Sequence, residues 1–413
     1  MRLTASASIA AISLLSAAWS LHAARRPHYG GLLRIEMQTT DAHVMDDQVF
    51  ETLVRVNDKG EPRPLLAVSW SHDTAQHRWV FTPRRNVLLS DTSAWNPGEI
   101  SFEDSRPIGD FLRELAQPGK FIAVRGSHGE LLGTGPFVIQ SAEPGKLIRL
   151  MPNAACWRGA PYLAQVDVRL GRTPREQALD FDLGRADVIE LPLTDVRRAQ
   201  QQGARVVVSP PNRVLALILD TTRPDADRLR DALALSIDRS AIRNVLLQHQ
   251  GEVSGALLPQ WLTGYAFLFP SDRNLARARE LAAGAQPLSF AWDSQSELLR
   301  PIAERIVLNA GEAGLTLRPA GSDKPDLRLM LLRVSSTDAK QALEDMAIAL
   351  GAPIAPGTHD DPQSLYQAER SLIAARRVIP LFHLPVAHQL SPAVRDWASD
   401  HWRLADVWLD PRP

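Results

Sequence analysis

Residues 133–163 read GTGPFVIQSAEPGKLIRLMPNAACWRGAPYL, and two readings compete for the Gly-x-Gly that opens the stretch. A phosphate-binding loop needs its glycines between a strand and a helix, so that the helix N-terminus faces the phosphate. Here Gly133-Thr134-Gly135 runs into Pro136, with no third glycine and no following Lys-Ser/Thr. Two apolar runs come next, FVIQSA and LIRLMP, joined by Glu143-Pro144-Gly145-Lys146. Proline at the second position fixes φ near that of a type II turn, and glycine at the third tolerates the positive φ that the turn then requires. The stretch therefore reads as a β-hairpin. Its glycines serve a tight backbone approach to a neighbouring strand and not nucleotide chemistry.

Outward from the hairpin, the N-terminal part is strand-rich. Short strands are expected over Leu32–Ile35 and Glu51–Val56, and Trp79 and Phe81 alternate with Val80 as a half-buried strand does. The polar, turn-rich residues 90–107 read as a loop. Beyond residue 170 helix and strand alternate, which argues an α/β architecture. A helix closed by Gly184 precedes a strand at Val188–Leu191, and a second helix ending at Gly203 precedes RVVVSP. RVLALILD, residues 213–220, is a continuous apolar run suited to a central strand buried on both faces. Leu229, Leu233 and Ile237, then Ile242, Val245 and Leu246, mark a helix pair. Leu299, Ile302, Ile306 and Ala310 mark another helix, DLRLMLL and VIPLFHLP read as strands, and SLYQAERSLIAAR as a helix between them.

The 413 residues suffice for two or three domains with substantial cores. A formal net charge of -1, with no basic tail, gives no electrostatic footprint for nucleic acid. A single cysteine excludes an intramolecular disulfide. The start of the chain has Arg2, an apolar stretch from Ile9 to Ala18 and small residues before Arg25, the plan of a secretory signal peptide over residues 1–24. Cys156 lies far inside the chain and cannot be a lipidated first residue, so a soluble, exported protein is expected.

Chemistry-bearing motifs are sparse. The sequence has no Gly-x-Ser-x-Gly elbow, no His-Glu-x-x-His, no Cys-x-x-Cys and no Walker loop. His359-Asp360-Asp361 and the pair His383 and His388 contain ligand-type side chains, but a polar loop and strand histidines account for them; neither a metal nor a cofactor is assigned. Of the ten tryptophans, Trp70, Trp79, Trp397 and Trp408 are expected in cores. Trp292, at the end of LSFAW, stands where ligands gather in α/β domains. An exported hydrolase has no motif in its favour.

Four segments stand in order: FETLVRVNDKGEPRPLLAVSW, GTGPFVI with PNAACWRGAPYLAQVDVR, RLRDALALSIDRSAIRNVLL, and IPLFH. Together they resemble the large extracytoplasmic solute-binding proteins of ABC importers, the family 5 group that takes up oligopeptides, dipeptides and nickel complexes. The resemblance implies a two-lobed, type II periplasmic-binding-protein-like α/β fold with a hinge. Lobe I would span 25–219, with a reduced extra subdomain at 55–130, lobe II 220–386, and 387–413 would return to lobe I. Hinge crossings are expected near Asp220–Pro224 and Leu384–Leu390. The implied function is periplasmic capture of a small-molecule or short-peptide solute by a monomer that delivers it to an inner-membrane ABC permease. A degenerate member that holds no solute and acts as an interaction or sensory protein is the alternative.

Two departures from the family pattern bear on the solute. Only some forty residues separate VFTPRRNVLLSD from the Gly-Thr-Gly-Pro motif, so the subdomain that walls the pocket in peptide binders is expected to be largely lost. After DLRLMLLRVSSTD the family's Asp-Tyr-x-Asp-Pro pattern is missing, and Arg333 stands about where an aromatic would be. A smaller or anionic solute is then expected, since an Arg fork suits carboxylate or phosphate. The candidate ligand-binding residues are Phe50, Glu51 and Thr134 on the first lobe, with Trp292 and Arg333 on the second.

Overall fold

The computed structural model describes residues 26–411 apart from 58–60, 105–107, 118, 220–222, 266–268, 322–323, 353–360 and 399–402. The expected signal segment, His359-Asp360 and the start of the expected crossing at Asp220–Pro224 lie outside the described residues. Among those described, no helix is long and apolar enough to cross a membrane.

Two large mixed sheets carry the fold. The first has seven strands in the order Arg205–Val208, Ala387–Leu390, Val188–Glu190, Leu32–Glu36, Gln165–Arg169, Leu147–Pro152 and Phe137–Glu143. Its last two strands are the hairpin read from the sequence. Glu143 pairs with Leu147, the Lys146 N–H donates to the Glu143 carbonyl at 3.0 Å, and Gly145 takes the positive φ that the turn demands. One face of this sheet buries Leu33, Ile35, Ile148, Leu150, Val166 and Val168 against Met45, Val49, Trp397 and Leu404. The other face carries charge. Glu36, with no exposed surface, lies 3.0 Å from Arg169 and 3.6 Å from Arg172, and Asp187 pairs with Arg34 at 2.8 Å. The helix Pro174–Asp182, opened by a Thr173/Glu176 capping box, places Asp180 on the same arginines.

The second sheet has the order Glu252–Val253, Val378–Leu384, Arg213–Leu219, Leu327–Arg333, Leu288–Ala291 and Leu317–Pro319. The apolar run at 214–219 is central and buried on both faces, which is why it shows no polar alternation. Leu215, Leu217 and Leu219 face the helices Ala226–Ser236 and Leu299–Glu312, whereas Val214, Ala216 and Ile218 face Ala339–Ala349 and Pro362–Ala375. A smaller unit packs Trp79, Phe81, Val87, Trp95, Phe111 and Leu132 around the three-stranded sheet Ala67–Asp73, Arg78–Pro83 and Ile100–Glu103.

Two expectations are corrected. The last of those strands falls inside residues 90–107, which the polar composition read as loop; edge pairing to Arg78–Pro83 holds it there. The reduced region around residues 53–132 keeps a hydrophobic core of its own. The chain passes from the first sheet to the second between Val208 and Arg213, not after residue 219, because the run Arg213–Leu219 is bonded on both sides within the second sheet. The return passage, between Leu384 and Ala387, falls within the expected Leu384–Leu390. The two passages run side by side: the Ser209 N–H donates to Val386 O at 2.8 Å, the Val386 N–H to Ser209 Oγ at 2.9 Å, and the Asn212 N–H to Leu384 O at 3.1 Å.

Candidate ligand cleft

The sequence motifs at 48–51, 133–136 and 153–158 fold onto one another. The Gly135 N–H donates to the Val49 carbonyl at 2.9 Å, and Asn153 donates from its side-chain amide to Gly135 O at 2.8 Å. A Cβ on Gly133 would stand 2.0 Å from the Val49 carbonyl oxygen, so only glycine fits this approach. At the centre lies Glu51, 4 % exposed. Its Oε2 accepts from the Thr134 hydroxyl at 2.9 Å and the Trp157 indole N–H at 2.7 Å, while Oε1 lies 2.9 Å from the Arg158 guanidinium. Arg84 covers the Trp157 ring at 4.1 Å. Phe50 is buried and stacks on Phe121 with centroids 5.4 Å apart.

This geometry turns three of the candidate ligand residues into the interior. Thr134 has no exposed surface, Glu51 spends both oxygens inside the knot, and Phe50 is core. A fourth, Trp292, packs against Phe290 at 4.9 Å and borders the core of the second sheet. The strand Leu288–Ala291 pairs Ala291 with Arg328, which leaves Trp292 level with Leu329. Arg333 is four residues further on, about 13 Å at the rise of a strand. The strand-end rule failed because this strand stops short of its neighbour.

Arg333 is exposed at the end of its strand, beside the passages between the sheets. There it meets residues that the sequence reading did not single out. Arg213 is its direct cross-strand partner. Glu190 ends a strand of the first sheet, and its Oε2 accepts the Gln38 N–H at 2.8 Å. Glu190 and Arg333 both act on the Arg213 guanidinium, whose pKa is lowered mainly by desolvation. Asp47 is open to solvent at its surface but crowded by protein, and desolvation raises its carboxyl while Arg333 pulls it down. His388, buried on the first sheet, is pushed down to about 4 by burial, with Arg213 adding to the effect. Trp261, 46 % exposed, donates its indole N–H to the Pro211 carbonyl at 2.8 Å and so stands at the passage itself. His383 is buried in the second sheet with Nε2 at 3.0 Å from the Ala256 carbonyl, a structural hydrogen bond.

The smaller unit also reaches the second sheet. Arg113 Nε lies 3.2 Å from Asp338 Oδ2, and the Gln117 amide donates to Ser336 Oγ at 3.2 Å. Asp338 caps the helix Ala339–Ala349 through the Gln341 N–H. The contacted loop directly follows Arg333, so the α/β halves are joined both by the passages and by this polar clasp.

The profile of the bacterial extracellular solute-binding proteins, family 5 (middle), matches residues 91–368. The chain belongs to that family. Among its curated relatives, this family 5 chain is 23 % identical over 307 residues to the probable D,D-dipeptide-binding periplasmic protein DdpA of Escherichia coli K12, covering 61 % of this chain and 60 % of that one. It is 24 % identical over 305 residues to the nickel-binding periplasmic protein of the same organism, covering 61 % and 58 %. The matches thus span about three-fifths of those relatives' length. Solved structures extend the likeness in fold. NikA from Brucella suis in complex with Fe(III)-EDTA superposes with a TM-score of 0.76 at 15 % identity, over 92 % of this chain and all of that one. AppA from Bacillus subtilis, bound to a nonapeptide, gives 0.77 at 14 % identity, over 94 % of this chain and 100 % of that one. The fold is the two-lobed, type II binding-protein fold of these neighbours.

Proposed function

We propose that this family 5 chain is the solute-capturing component of an ABC importer, working outside the cytoplasmic membrane and handing its solute to a membrane permease. The first lobe then holds the first sheet and the Trp79–Phe111 unit, up to Val208 and again from Ala387. The second lobe runs from Arg213 to Leu384. The observation that carries this reading is the set of polar side chains from both lobes that lie within electrostatic reach of one another beside the passages: Asp47 and Glu190 from the first, Arg213 and Arg333, cross-strand partners, from the second. Among the described residues they influence one another electrostatically without closing into contact ion pairs, and the two guanidiniums keep N–H donors for a guest. Trp261 offers an exposed apolar surface next to them. Relatives are named for D,D-dipeptides, nickel and peptides, and the clasp between Arg113 and Asp338 favours a small solute here.

Native mass spectrometry of protein purified gently from a periplasmic extract, followed by a denaturing spectrum of the same sample, tests the proposal. A discrete extra mass lost on denaturation is the expected result. An apo mass together with no thermal shift across peptides, sugars, organic acids and metal chelates would overturn it, since a ligand that binds only the native state must stabilise it.

A further inference from the structure

We propose that Arg213 and Arg333 act together as one receptor for an oxyanion, so that the solute of this cleft carries a carboxylate or phosphate group held by both guanidiniums. This rests on the binding-protein reading and deepens it. The starting point is the register: Arg213 opens its strand, Arg333 closes the neighbouring antiparallel strand, and the two are direct partners. Side chains at such positions leave the sheet on the same face with Cβ atoms about 5 Å apart, where like charges repel. A sequence that merely folded has no reason to keep two arginines there.

Several other part-buried arginines among the described residues are matched. Arg34 lies 2.8 Å from Asp187, Arg149 2.9 Å from Asp167 and Arg169 3.0 Å from Glu36, and Arg239 donates to the Ala234 and Ser271 carbonyls at 3.0 Å. Arg213 and Arg333, by contrast, have neither a hydrogen bond nor a contact ion pair from their guanidiniums among the described residues. The nearest opposite charges stay back: Glu190 is engaged by the Gln38 N–H, and Asp47 acts on Arg333 only through space. Arg213 is in addition partly desolvated, which strengthens any hydrogen bond it makes to an anion. Each guanidinium presents a planar fork of N–H donors suited to bidentate capture of two oxygens. An oxyanion between them would satisfy both forks and remove the like-charge repulsion at one stroke. Asp47 and Glu190, on the opposite lobe, then face the remainder of the solute, where a positively charged or hydrogen-bond-donating group fits.

The test is isothermal titration and thermal shift at low ionic strength on the full chain, with inorganic phosphate, succinate, alanyl-alanine and alanyl-alanine amide as probes. At least one oxyanion is expected to bind, more weakly as salt rises. Arg213→Gln and Arg333→Gln are each expected to weaken it about ten- to a hundredfold, the loss of a charge-assisted partner. Arg318→Gln, the same charge change on the edge strand Leu317–Pro319, should leave it unchanged. Phosphate alone binding would point to a phosphate-bearing solute, and the carboxylates binding while the amide does not would point to a carboxylate. The apo melting temperature of Arg213→Gln should hold or rise, because a repelling charge is gone; a fall would mark a structural arginine and overturn the proposal. So would equal binding of the amide and the acid, or no oxyanion response at all. If a neutral solute from the extract closes the lobes in small-angle scattering and the two variants leave its affinity intact, the arginine assignment fails while the transport reading stands. If oxyanions bind through both arginines but no solute closes the lobes, the transport reading fails and the receptor stands.

Discussion

Replacing Glu51 separates a structural role from the ligand role that its sequence context suggests. In Glu51→Ala the Thr134 hydroxyl, fully buried, and the Trp157 indole N–H, half-buried, lose their common acceptor. Each stranded donor costs about 1–3 kcal/mol. The Arg158 pair adds little, because that guanidinium is 42 % exposed and returns to water. The expected loss is about 3–5 kcal/mol. Glu51→Gln retains an acceptor oxygen and should lose about half of that or less. With an unfolding entropy of about 2 cal/mol/K per residue, a chain of this size that melts as one unit would shift by only about 4–6 °C, so the midpoint of a urea transition is the sharper readout. Solute affinity of the folded variant should change less than about twofold, since both carboxylate oxygens are turned into the knot. A Glu51→Ala protein with an unchanged midpoint and abolished binding would refute the reasoning and restore Glu51 to the cleft.

The same geometry sets the outcome of other perturbations. Gly133→Ala places a methyl group 2.0 Å from the Val49 carbonyl oxygen, so destabilisation of about 3 kcal/mol or more is expected by urea titration. Arg113→Ala, which removes the clasp to Asp338, should enlarge the radius of gyration of the ligand-free protein in small-angle scattering; an identical curve would show that the passages alone set the lobe angle. Glu369, with no exposed surface, accepts the Leu258 N–H at 2.9 Å, and burial pushes its carboxyl up to about 7. A raised carboxyl binds its proton more tightly in the folded state, so the associated stability is present below about pH 4.5 and is lost as pH rises toward 7. The loss is about 3 kcal/mol at the exchange of one pKa unit for 1.4 kcal/mol. Glu369→Gln keeps the acceptor and should flatten that part of the stability profile; the same slope in the variant would assign it to another group.

The hairpin at 137–152 was readable because a type II turn is a local event: four adjacent residues specify it, and it brings the flanking runs together. The strand at 213–219 was readable for a similar reason, since burial on both faces requires apolar residues at consecutive positions. The helix at 174–182 announced itself through the Gly184 that follows it, which takes a positive φ. Less local features escaped. The strand Ile100–Glu103, in which Ile100 and Phe102 alternate with Ser101 and Glu103, was hidden by its polar, turn-forming neighbours and exists by pairing with Arg78–Pro83. The lobe boundary was placed too late because nothing in RVLALILD states which sheet will enclose it.

By itself, the sequence determined the α/β class, the family and the segments that build both sheets, because periodicity and turn chemistry act over a few residues. It even selected Glu51, Thr134 and Trp292 as unusual, but it could not say which way they face. Whether a polar side chain is spent on the interior or left for a solute depends on partners distant in the chain: Thr134 and Trp157 take Glu51, whereas Arg333 meets Arg213 and, among the described residues, no carboxylate closes on them. That register is fixed by the packing of whole strands and helices, and only the tertiary structure decides it.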